Sequence, residues 1–135
     1  MPTIPSKKIS GFKWSKRSLV EMKGIHPDLR RLCDRTLEIT SIDFLIVDGL
    51  RTLEEQKHHV ANGASKTLKS RHLHGFAVDF AAVVGGKIRW EIAYYKPIRA
   101  AFKQAAKELG IPLGPDISWD PGHIELAKSK YPDPK

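Results

Sequence analysis

The sequence predicts an α+β chain, with a small, mainly antiparallel sheet flanked by helices. Apolar residues recur at helical spacing in two stretches, one from Leu29 to Leu37 and one from Ile98 to Leu109. Short apolar runs with β-branched residues lie elsewhere, at Phe44-Leu45-Ile46-Val47 and from Ala77 to Val83. Gly85-Gly86 then supplies a hairpin turn into Lys87-Ile88-Arg89. Together these give the order helix, strand, helix, strand, hairpin, helix and short closing strands.

Residues 1–14 are rich in Pro, Lys and Ser and read as a weakly ordered arm, with Phe12 and Trp14 able to tuck onto the body. The first clear helix begins at Pro27, whose fixed φ suits the first helical position. Leu29, Leu32, Cys33, Thr36 and Leu37 form its apolar face, and Arg30, Arg31, Asp34 and Arg35 its polar one. Cys33 reads as a small core residue, and His26, just before the helix, as a surface residue. After the first strand, Thr52 is an N-cap with Glu54 and Glu55 in the first turn, and this helix ends near Gly63. A polar, basic loop covers 63–71. The longest helix runs from Ile92 to Leu109 and stops at Gly110. Short strands are expected at Ile111 to Leu113 and at His123 to Leu126.

A chain of 135 residues fits one domain, here 1–135 with its core at about 27–126. One cysteine excludes an internal disulfide framework, a thiolate zinc cluster and an iron–sulfur centre, leaving imidazole and carboxylate as metal ligands. With 23 Lys plus Arg against 15 Asp plus Glu, the formal charge of +8 draws the protein toward polyanions such as anionic envelope polymers. No apolar run approaches the ~20 residues of a spanning helix, and no signal-type segment follows the basic N-terminus. The expectation is a protein folded in the cytosol, without membrane insertion, and nothing demands more than a monomer.

Metal-competent side chains concentrate in two segments. In Ser70-Arg71-His72-Leu73-His74-Gly75-Phe76-Ala77-Val78-Asp79, His72 and Asp79 lie an odd number of residues apart, which a straight strand would send to opposite faces. They converge only if the chain bends, and Gly75 is where bending costs least. In Trp119-Asp120-Pro121-Gly122-His123-Ile124-Glu125, a Pro-Gly turn holds Asp120 near His123, and His123 and Glu125 share a strand face. A catalytic zinc takes three His or carboxylate ligands and keeps one open position, and a free carboxylate beside it can act as base. His72, Asp79 and His123 fit the first part and Asp120 the second. On spacing alone, histidines clustered by chance in loops remain the alternative. The H-E-x-x-H helix and the P-C-x-x-C deaminase pattern are absent.

Ser70-x-His72-x-x-Gly75-x-Ala77-x-Asp79 followed by Asp120-x-x-His123 resembles the zinc-dependent peptidoglycan peptidases. These comprise D-alanyl-D-alanine carboxypeptidases and dipeptidases and the L-alanyl-D-glutamate endopeptidases used as phage endolysins. Val47-Asp48-Gly49-Leu50-Arg51-Thr52, Gln56, Gly63-x-Ser65 and Ala106-Lys107-Glu108-Leu109-Gly110-Ile111 extend the similarity over most of the chain. The resemblance implies the D-Ala-D-Ala peptidase (hedgehog-like) fold and a Zn2+ cofactor held by His72, Asp79 and His123. It implies that Asp120 is the general base, that Arg51 stabilises the oxyanion, and that Gln56, Ser65 and Ser70 line the substrate cleft. Ser70 serves equally well as a loop cap. His74 is not at a metal-binding position of the family. His58 and His59, adjacent on a helix, point different ways and read as solvated. Glu125 either orients His123 or is a plain strand-edge carboxylate, and Trp119 either walls the cleft or is structural.

One departure is the short Gly114-Pro115-Asp116-Ile117-Ser118 lead into the second motif, where the family has a longer loop, and this bears on substrate length. The implied activity is cleavage of the L-alanyl-D-glutamate bond of bacterial peptidoglycan by a phage or prophage endolysin in host-cell lysis. Such an enzyme would wait in the cytoplasm of the infected cell and then act on the wall. A D-alanyl-D-alanine or L,D-carboxypeptidase is the alternative, with Lys66 or Lys69 to meet a substrate carboxylate. More remote is a basic module binding wall polymer or nucleic acid with a vestigial metal site. No nucleic-acid partner is expected, because a binding role gives Asp120 and Arg51 no purpose.

Overall fold

Four antiparallel strands form the sheet in a computed structural model that describes residues 10–63, 70–117 and 120–133. Strand β2 (Ala77–Val84) is its centre. Strand β1 (Asp43–Asp48) lies along one edge of β2, in a register running from Asp43 opposite Val83 to Asp48 opposite Asp79, with an irregularity between Ile46 and Asp48. Strand β3 (Lys87–Arg89) pairs with Ala82 to Val84, and β4 (His123–Glu125) with Ala77 to Asp79. The β2–β3 turn places Gly85 and Gly86 at φ of +61° and +78°, the doubly left-handed geometry that only glycine adopts freely.

Helix α1 spans Lys16–Glu21, α2 Pro27–Ile39, α3 Leu53–Ala61 and α4 Ile92–Leu109. The periodic residues of α2 and α4, with Leu109 only partly buried, pack with Phe44, Ile46, Val78, Phe80, Ala82 and Ile124 from one face of the sheet. Phe80 and Phe44 meet Phe102 of α4 at ring-centroid distances of 5.2 and 5.4 Å, typical of favourable aromatic packing. Cys33 is buried in this core, as expected. The opposite face of α2 carries surface ion pairs, Arg30 with Asp34 and Arg35 with Glu38 and Glu108. Helix α3 opens on a complete capping box between Thr52 and Glu55. Gly110, in the left-handed conformation, ends α4.

The structure corrects several local expectations. Helix α1 was not anticipated. Six residues are too few to be stable alone, and it is tied down by tertiary contact: Ser18 is fully buried and its Oγ accepts from the Ile46 amide at 2.9 Å. Residues 10–14 are no loose arm. Ser10 donates through its amide and hydroxyl to the Glu38 and Leu37 carbonyls, and Trp14 sits edge-on to Phe44 while its Nε1 donates to Asp34. The expected strand at 111–113 is a single bridge from Leu113 to Leu126, and β4 ends at Glu125. His26 is a cap rather than a plain surface residue: its Nδ1 accepts from the Asp28 amide, and its ring lies against Phe76 and Tyr131.

Candidate active site

Strand pairing does most of the assembly. Asp48, Asp79 and His123 occupy directly paired positions on β1, β2 and β4, so they form one row across the sheet. Their neighbours Val78, Phe80 and Ile124 face the core, which sends Asp79, His123 and Glu125 to the other side. His72 arrives from a 3₁₀ turn over Arg71–His74, opened by Ser70, whose Oγ accepts from the His72 amide, and closed by Gly75 at φ +72°. The bend expected at Gly75 is therefore present. A Cβ there would also lie 3.0 Å from the Gly24 carbonyl oxygen, so glycine is needed both for its φ and for the close approach.

One ligand-capable atom from each of His72, Asp79 and His123 falls within 4.8 Å of the others. His72 Nε2 is 3.3 Å from Asp79 Oδ2, and His123 Nδ1 is 3.0 Å from Asp79 Oδ1. The far nitrogens are also engaged: His72 Nδ1 donates to the Gly49 carbonyl at 2.8 Å, and His123 Nε2 bonds Glu125 Oε1 at 2.8 Å. A donor set of two imidazoles and one carboxylate, each imidazole backed by an oxygen acceptor, fits a divalent cation of the zinc type. The electrostatics agree. Burial would raise the Asp79 carboxyl, but hydrogen bonds from His123 and His72 outweigh it and hold the group well below the usual range. Burial opposes charge on His123, yet its bonds to Asp79 and Glu125 lift it to about 9. Without a cation, these bonds hold the Asp79 carboxylate and the two imidazoles together, with His123 carrying the compensating charge.

Asp120 stands apart from this set. Its backbone carbonyl accepts from the His123 amide at 3.2 Å, which keeps the turn tight. Its carboxyl is partly buried and is raised above the ordinary range, first by burial and then by the charge of Asp79. Gly122 lets this turn close: its carbonyl accepts from the Phe80 amide at 2.8 Å, and a Cβ would lie 2.5 Å from the Phe80 oxygen. On α4, Arg99 donates through Nη1 to the Pro121 and His123 carbonyls, both at 2.8 Å, bracing the turn from outside. A depression of about 270 Å3 lies beside β4, bordered by Arg99, Lys103, Asp116, His123 and Glu125.

Arg51 is 7% exposed and its amide donates to the His72 carbonyl. Its guanidinium pairs with Asp48, donates to Gln56 Oε1 at 2.6 Å, and passes 3.7 Å from Asp79. Gln56 is wholly buried, so it holds Arg51 in place from behind. Ser70 takes the capping role. Ser65, Lys66, Lys69, Ser118 and Trp119 lie outside the described residues.

The geometry agrees with what similarity to known proteins gives. The sequence profile of the family described as phage L-alanyl-D-glutamate peptidase matches residues 10–130. The chain is 36% identical over 127 residues to the L-alanyl-D-glutamate peptidase of Escherichia phage T5, covering 89% of this chain and 93% of that one. The chain belongs to the phage L-alanyl-D-glutamate peptidase family. The crystal structure of the Serratia marcescens L-Ala D-Glu endopeptidase ChiX superposes with a TM-score of 0.82 at 36% identity, over 89% of this chain and 93% of that one. The L-alanyl-D-glutamate peptidase of Listeria phage A118 is 39% identical over 104 residues, and the match spans 76% of this chain but 36% of that longer protein.

Within this member of the peptidase family the other histidines stay away from the metal-competent group. His74 and His58 are exposed and His59 is partly so. Sequence reasoning gave no part to Asp48 or Arg71 and none to the Gly49 carbonyl. Asp48 and Gly49 sit in the Val47-to-Thr52 motif, and that motif was the available signal. Arg71 had only its place beside His72.

Proposed function

We propose that this chain is a peptidoglycan peptidase that hydrolyses the L-alanyl-D-glutamate bond of the stem peptide, with Zn2+ held by His72, Asp79 and His123. The observation that carries this reading is the gathering of those three side chains within 4.8 Å, in a chain that matches the peptidase family along residues 10–130. A cation held there supplies Lewis acidity toward a peptide carbonyl and makes water easier to deprotonate. Asp120, free of the ligand set and with raised proton affinity, accepts the proton of the attacking water and passes it to the leaving amine. Arg51 keeps a fixed positive charge beside Asp79, where its partners Asp48 and Gln56 prevent it from swinging away, and so favours the oxyanion as charge develops. Gln56 positions Arg51 from behind and Ser70 holds the turn that carries His72, while the family resemblance assigns Ser65 to the substrate.

As a phage endolysin the protein acts on the cell wall, reaching it when the membrane fails at lysis. Among the described residues no helix is long and apolar enough to cross a membrane. The +8 charge supports attraction to the anionic envelope. The test is mass spectrometry of purified peptidoglycan incubated with the protein, with added zinc or with a chelator. Zinc-dependent release of peptides that begin at D-Glu is the expected result. Loss of a terminal D-Ala alone would assign the protein to the carboxypeptidases, and intact wall with zinc bound would overturn the proposal.

A further inference from the structure

Behind His123 lies a charge pair, Arg71 buried and Glu125 partly so, to which the proposed reaction gives no direct step. Glu125 accepts from His123 Nε2 through Oε1, and its Oε2 lies 3.6 Å from Nε of Arg71. The Arg71 side chain is only 5% exposed. Its Nη1 donates to Asp133 at 2.5 Å, its Nη2 to the Leu126 carbonyl at 2.8 Å, and its guanidinium carbon sits 4.7 Å from the Phe76 ring centre. Nε is the one buried side-chain nitrogen or oxygen without a hydrogen bond among the described residues. Leaving such a donor unsatisfied is costly, and the acceptor it faces is Glu125. Glu125 is confined from the other side as well, since a Cβ on Gly114 would meet its Cγ at 3.0 Å.

We propose that Arg71 and Glu125 are positioning residues for the metal centre, fixing the orientation and tautomer of His123 and anchoring it to the chain segment from Leu126 to Asp133. Asp79 and Glu125 are both carboxylates and can only accept, so without a cation His123 carries a proton on each nitrogen; a cation at the site would take the place of the proton on Nδ1, while Glu125 keeps the one on Nε2. Arg71 in turn fixes Glu125, and because Arg71 precedes His72, the same turn that delivers one ligand steadies the other. The inference rests on the reading of His72, Asp79 and His123 as ligands.

The experiment measures zinc affinity of the full-length protein by competition with a chromogenic chelator, alongside 15N NMR of the His123 ring in the zinc-loaded state. Glu125→Gln is nearly isosteric but ends the charge pairing with Arg71 and allows either end of the amide to face His123. Its zinc affinity is expected to fall about 10- to 100-fold, the usual cost of losing such an outer partner, with the His123 signals shifting away from the pure Nε2-protonated form. Arg71→Lys keeps the charge but loses the fork that holds Leu126 and Asp133 together, and its affinity should fall by a smaller factor in the same direction. An ion pair with a purely structural role would lower thermal stability and leave zinc affinity and the tautomer unchanged. Zinc affinity within about twofold of the parent in Glu125→Gln, or in Arg71→Lys should the first variant not fold, overturns the proposal. His72→Ala separates the two readings: if it binds zinc as the parent does, the ligand assignment itself has failed.

Discussion

A carboxyl group moved out of water and set near a second negative charge holds its proton more tightly, and Asp120 is placed in that way by burial and by Asp79. That suits a base that must take a proton and later release it. Asp120→Asn keeps the shape and removes the proposed proton acceptor. Turnover of peptidoglycan is expected to drop by about 10²- to 10⁴-fold while the metal content of the purified protein, read by atomic absorption, stays the same. Surviving activity would show that another group is the base. Cys33 is the opposite case at the same scale. Burial pushes its thiol far above the ordinary range, so the reactive thiolate is scarce and shielded. Disulfide reagents should leave the folded protein unlabelled and label it stoichiometrically in denaturant. Rapid labelling of the native protein would contradict the burial.

Among the elements, the junction between α1 and β1 matters most to the site. Gly49 follows β1, and a Cβ on it would fall 1.9 Å from the Glu21 carbonyl oxygen at the end of α1. The same residue's carbonyl accepts from His72 Nδ1. Gly49→Ala cannot be accommodated without moving α1 or the loop, and either shift disturbs the acceptor that orients His72. A loss of about 1–3 kcal/mol in urea unfolding is expected, accompanied by weaker metal binding. If stability and metal affinity both match the parent, the close approach is not what makes this position glycine.

For the whole molecule, the proposed metal site ties metal to fold. The three proposed ligand residues come from the 3₁₀ turn, β2 and β4, so a cation bound to them is bound only when those elements are together. A ligand present at 100 times its dissociation constant stabilises the native state by about 2.7 kcal/mol. Chelation should therefore lower the melting temperature by several degrees in calorimetry, and zinc added in excess should restore it. An unchanged melting temperature, with zinc shown to bind beforehand, would mean that the site also survives in the unfolded chain.

Local signals determined much of this protein. Helices α2, α3 and α4 were legible because apolar spacing, Pro27, the Thr52 cap and Gly110 act within a few residues of where they stand. Strands β1 to β3 were legible from apolar runs and the Gly85-Gly86 turn, and the ligand candidates from two dense motifs with a glycine bend between His72 and Asp79. Helix α1 was not, because Ser15 caps only six residues and the Ser18–Ile46 contact that secures them joins positions 28 apart in sequence. The strand expected at 111–113 needed a long partner and found only Leu126. Tertiary structure alone decided that Asp79 faces His123, 44 residues away, that Gln56 lies buried behind Arg51, and that Arg71 reaches Glu125 and Asp133. The reason is physical: a pattern in the chain sets which face a residue takes, while its partner across the sheet depends on strand register and packing that no local stretch contains.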